Sequence, residues 1–74
     1  MNEYTEKRFG YLRELSTDEK INMIKDLEEE NEAINNMIDD RSISSEQRSE
    51  LYNDLNYNQS RIDYLRTILE EKHL

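Results

Sequence analysis

The chain contains no cysteine, proline, valine or tryptophan, one glycine (Gly10) and one histidine (His73). Without cysteine there is neither a disulfide framework nor a thiolate zinc site. A lone histidine cannot build a histidine-based metal centre. With no proline and a single glycine, almost nothing interrupts a helix. Missing valine and scarce threonine disfavour strands. No apolar run approaches the length of a membrane span, and the start MNEYTEKRFG lacks the apolar centre of a secretion signal. A cytoplasmic location is expected.

What the chain does have is charge and helical spacing. Its 74 residues allow one small domain, 38% charged and only 34% hydrophobic. A core this small needs regular helix packing or self-association to give a useful stability margin. The net charge of −8 is concentrated. Residues 1–25 are balanced, whereas residues 26–40 hold seven acids (Asp26, Glu28, Glu29, Glu30, Glu32, Asp39, Asp40) and no base. Such a block repels nucleic acid and anionic membranes, so neither is expected as a partner. Frequent asparagine and isoleucine with scarce alanine suggest an AT-rich gene, as in phages and mobile elements.

Two helix-start signals divide the sequence. Ser16-Thr-Asp-Glu19 and Ser44-Ser-Glu-Gln47 both read as capping boxes, in which the serine accepts from a first-turn amide and the fourth residue reaches back. Helices are therefore expected over 3–14, 17–41 and 45–72, with the turn in DDRSISS. The fold class is all-α: an antiparallel, coiled-coil-like hairpin with a short N-terminal helix.

The register comes from apolar spacing. Ile24, Leu27, Asn31, Ile34 and Ile38 step by three and four residues, as do Leu51, Leu55, Asn58, Ile62, Leu65 and Leu69. These are heptad seams. Folding one onto the other pairs Ile38 with Leu51, Ile34 with Leu55, Asn31 with Asn58, Leu27 with Ile62 and Ile24 with Leu65. The numbers in each pair sum to 89, centring the fold between Ser44 and Ser45, where the cap already places the turn. Asn31 and Asn58 are then expected to face each other, amide to amide. A lone seam asparagine leaves polar groups unpaired at about 1–3 kcal/mol, whereas an opposed pair selects one alignment. On one flank Met23 should meet Ile68 and Glu30 should ion-pair with Arg61. On the wetter flank Ile21 lies near Arg66, Glu28 near Gln59 and Asn35 near Tyr52.

Outside the seam, Tyr57, Tyr64 and Ile68 align with Met23, Ala33 and Met37 as a second apolar stripe, a candidate docking or oligomer surface. Its occupant is either the first helix or a second copy in a helical bundle. The first helix is expected to present Tyr4, Tyr11, Leu12 and Leu15, with Phe9 at the margin. Gly10 weakens it by about 1 kcal/mol relative to alanine. The basic and aromatic run KRFGYLR (7–13) is expected to meet the acidic 26–40 face of its own or a neighbouring chain.

Chemical motifs are missing. Glu70-x-x-His73 has the spacing of a di-iron bundle ligand pair but no second copy. DDRSISSEQ lacks the glycine and alternating acids of a calcium loop. No serine or threonine has a base at a helpful position, and no phosphate loop exists. No enzyme, metal or cofactor is expected. The reading is a small acidic, non-enzymatic protein–protein interaction module (adaptor, regulator or inhibitor) acting as a homo-oligomer, with a dimer favoured and a further protein as partner. Phe9, Tyr11, Leu12, Glu28, Glu29 and Glu32 are the candidate partner contacts. The alternatives are a nucleic-acid mimic using the 26–40 acids, or a structural or chaperone component of a larger assembly.

Overall fold

The computed structural model describes residues 2–71. Its elements are α1 (Glu3–Phe9), a 3-10 segment (Gly10–Glu14), α2 (Thr17–Ile38) and α3 (Ser45–Glu71). Helices α2 and α3 pack against each other as the expected hairpin, about 47 Å long and 25 by 17 Å across. Among the described residues no helix is long and apolar enough to cross a membrane.

Both expected capping boxes form. Ser16 Oγ accepts from the Glu19 amide and Glu19 Oε1 accepts from the Ser16 amide, at 3.1 and 3.0 Å. Ser44 and Gln47 repeat this at 3.1 and 2.9 Å. Asn2 caps α1, its side chain accepting from the Thr5 amide at 2.8 Å.

Helix α2 ends at Ile38, three residues before the expected Arg41. Asp40 offers the chain an alternative to further helix: its Oδ1 accepts from both the amide and the hydroxyl of Ser42, at 2.9 and 2.7 Å. Aspartate favours such local turns over a helix interior. Arg48 then donates to the carbonyls of Ile38 and Asp40, both at 3.3 Å, satisfying oxygens that the end of α2 leaves open. At the other end, α3 is described as far as Glu71, and residue 72, the expected limit, lies outside the described residues.

Every seam residue is inside or half inside. Leu27, Asn31, Ile34, Ile38, Asn58, Ile62 and Leu65 are buried, and Ile24, Leu51, Leu55 and Leu69 are half-buried. A fully buried leucine or isoleucine contributes about 2 kcal/mol relative to leaving it exposed. The seam also extends one step further back, to Lys20, which is 0% exposed. The three-four spacing points to that position, since Lys20 precedes Ile24 by four residues, but its charged head masks the signal.

The expected amide pair does not form. Asn58 Nδ2 donates to Glu30 Oε1 at 3.1 Å, and Asn58 Oδ1 accepts from Arg61 at 2.7 Å. The Glu30–Arg61 ion pair is therefore replaced by an amide bridge, acid to amide to base. Charged partners make stronger hydrogen bonds than a second amide, and Glu30 and Arg61 flank the seam closely enough to claim Asn58. Asn31 Oδ1 is left buried without a hydrogen-bond partner. On the wet flank, Glu28 pairs with Arg66 at 2.8 Å, and Gln59 donates to Asp63 on its own helix.

Candidate interaction surface

The first segment folds back onto the hairpin of its own chain. Phe9 (3% exposed) and Leu12 (1%) enter a cluster with Leu27, Ile62, Tyr64, Leu65 and Ile68, and Leu15, Met23 and Ile24 pack against it. The segment is not one helix over 3–14. It changes from α to 3-10 at Gly10, and the change decides which face it buries. A 3-10 helix turns in about three residues, so side chains three apart eclipse. Phe9, Leu12 and Leu15 have that spacing. At α-helical spacing Tyr4, Tyr11, Leu12 and Leu15 would share the face. In the 3-10 geometry Phe9 moves to the centre, and Tyr4 and Tyr11 remain exposed. The recurrence of apolar residues at every third position was the available signal.

Polar groups hold this cover at its edge. Arg13 donates twice to Glu6, at 2.8 and 3.1 Å, and once to Glu71 at 3.1 Å. Tyr64 donates its hydroxyl to Glu6 at 3.0 Å. The Arg13 hydrogen bond holds the Glu6 carboxyl below the usual carboxylate range. Burial, and then the bond to Glu6, pushes the Tyr64 hydroxyl above the usual tyrosine range. Aromatic and cationic groups continue the edge: the Phe9 ring lies 5.8 Å from Tyr64 and 6.0 Å from Tyr57. The Arg8 and Arg61 guanidinium groups sit 4.9 and 4.6 Å from the Tyr57 ring centre, within the range of cation–π attraction.

Within its own chain, the basic run at 7–13 thus meets partners other than the 26–40 acids. Lys7 lies 3.8 Å from Glu3, Arg8 lies over Phe9 and Tyr57, and Arg13 joins Glu6 to Glu71. None of these three contacts is with the 26–40 acids. Phe9 and Leu12, candidate partner contacts, are instead core residues and unavailable to another molecule. Tyr11 remains exposed, as do Glu29 and Glu32, while Glu28 is engaged by Arg66.

The same cover divides the expected docking stripe. Tyr64 and Ile68 are buried, and Met23 packs against their cluster. Toward the turn the stripe is open: Tyr57 is 38% exposed, Met37 50%, and Ala33 is also exposed. Beyond Tyr57 the surface sinks into a hollow of about 270 Å³, lined by Met37, Asp40, Ile43, Gln47, Glu50, Leu51 and Asp54. Its floor is apolar, its rim carries three carboxylates, and no base lines it. Ile43, Glu50 and Asp54 did not figure in the sequence-based site. Their grouping depends on α2 stopping at Ile38, which the heptad pattern does not encode.

Among the described residues no cluster of His, Cys, Asp and Glu could hold a metal ion. His73, of the Glu70-x-x-His73 pair, lies outside them. The chain matches no family model, no characterised protein and no solved structure.

Proposed function

We propose that the chain is a small acidic, non-enzymatic protein–protein interaction module, an adaptor, regulator or inhibitor, whose contact face is the turn end of the hairpin. One observation carries this reading. The first segment covers the apolar stripe as far as Tyr57 and leaves Met37 exposed, with the half-buried Ile43 and Leu51 lining the same hollow. Contiguous uncovered apolar surface of this kind marks interfaces. A homodimer across the same face is the second reading, favoured by the exposure of Met37 and Tyr57 and by the small core.

A photo-crosslinking side chain placed at position 37, compared with one at Glu29 on the outer face of α2, tests the reading in producing cells. A discrete adduct from position 37, of another protein or of a second copy, with none from position 29, is the expected result. Equal labelling at both positions, or none at either, counts against a contact face at the turn.

A further inference from the structure

Resting on that reading and naming its partner class, we infer that the turn-end hollow seats a basic amphipathic helical segment of another protein. Met37, Ile43 and Leu51 form an apolar floor of a size to take a leucine or phenylalanine anchor. Methionine suits such a floor because its flexible thioether chain adapts to different anchors. Asp40, Glu50 and Asp54 ring the floor, so an anchor flanked by lysine or arginine gains on both counts.

The local charges are available to a partner. Among the described residues neither Glu50 nor Asp54 makes an ion pair. The nearby base Arg48 is turned onto the carbonyls of Ile38 and Asp40, and Arg41, in the turn, is not part of the lining. Asp40 gives one oxygen to Ser42. That carboxyl is held below the usual range by the Ser42 amide, so it is charged at neutral pH.

A second copy fits the hollow less well. A two-fold contact sets the same patch against itself, here carboxylate against carboxylate. Of the copy's described bases, Lys25 and Arg41 are exposed and in no ion pair, and in a two-fold contact the Arg41 side chains also face like charge. Most of the others are engaged. Lys7, Arg13 and Arg66 are paired with acids of their own chain, Arg48 with carbonyls, and Arg8 and Arg61 lie over Tyr57. Nucleic acids and anionic membranes are repelled by the rim. A basic helix with a hydrophobic ridge satisfies both floor and rim.

The test uses a fluorescein-labelled peptide of about 16 residues, with leucines at helical i, i+3, i+4 and i+7 spacing and lysine or alanine elsewhere. Binding is followed by anisotropy and by amide shifts of the intact protein. Two variants change net charge equally: Glu50→Lys with Asp54→Lys at the rim, and Glu29→Lys with Glu32→Lys on the outer face of α2. All four side chains are exposed, and melting curves establish that both variants fold. The rim pair and Met37→Glu are each expected to weaken binding about tenfold or more, and the outer pair less than about threefold. Amide shifts should centre on residues 37–54. Equal weakening by both pairs overturns the inference, because it indicates general attraction to an acidic chain. Equal binding of a peptide with serine in place of leucine does the same, as does no binding at about 1 mM. A doubled mass in the absence of peptide, abolished by Met37→Lys, places a second copy on the face. That result also overturns the inference, yet leaves the interaction-module reading intact.

Discussion

At the open end of the hairpin, Tyr64 and Ile68 lie beneath Phe9 and Leu12. At the turn end, Met37 and Tyr57 face solvent on the same flank. The two regions have comparable side chains and differ in whether the chain can reach them. Seven α-helical residues and five 3-10 residues rise about 20 Å in total, whereas the molecule is 47 Å long. The cover therefore ends near the middle. Apolar surface within its reach becomes core, and surface beyond it stays exposed.

The sharpest way to break this contrast is to remove the anchor of the cover. Phe9→Ala is expected to destabilise the protein by about 3–5 kcal/mol, read from urea unfolding, because it leaves a cavity among Tyr57, Tyr64 and Leu12. A loss below about 1 kcal/mol would mean the first segment is not part of the core.

Next come the two seam asparagines. Asn31→Leu is expected to stabilise by about 1–2 kcal/mol, since it removes a buried carbonyl oxygen without a partner. Asn58→Leu is expected to destabilise, because it leaves Glu30 and Arg61 without their bridge. Equal shifts in denaturation midpoint for the two variants would show that they share one role after all.

The edge of the cover should also respond to pH. The Glu6 carboxyl is lowered, mainly by Arg13. Its contribution is thus complete above the unfolded carboxylate value and disappears as pH falls through the lower folded one. The Tyr64 hydroxyl is raised, mainly by burial, so its contribution is complete below the ordinary tyrosine value and declines as pH climbs past it. Resonances of Phe9 and Leu12 should report attachment between these limits, and Glu6→Gln should flatten the acid limb. Identical acid limbs in Glu6→Gln and the parent would assign the transition to other carboxyls, such as Glu19 in its capping box, whose carboxyl is lowered by the Ser16 amide.

The smallest effects belong to the exposed end and to the hinge of the cover. Met37→Lys is expected to change stability by less than about 0.5 kcal/mol, the range of ordinary surface substitutions. Gly10→Ala is expected to stabilise by about 0.4–1 kcal/mol. Its φ of −55° suits any residue, and the added Cβ would meet only Glu6 Oε2, at 3.9 Å.

Much of this architecture can be read from spacing alone. Periodic leucines and isoleucines and two serine caps fix a hairpin, because burial and capping act locally and repeat. What resisted such reading depends on competition between neighbours. Asn58 had a choice between an amide and two charged groups, and took the charges. Phe9, at the margin in α-helical spacing, became central once the backbone tightened after Gly10. The hollow at the turn exists because Asp40 prefers Ser42 to another turn of α2. Each outcome is set by a few hydrogen bonds that no periodic pattern records.

The position of Phe9 and Leu12 also orders events in time. Their neighbours Leu27 and Ile62 come from different helices, so the site they fill does not exist until the hairpin has closed. Closure can begin at a short loop, a contact that forms rapidly, and the first segment must join last. Substitutions there should accelerate unfolding while leaving the refolding rate almost unchanged.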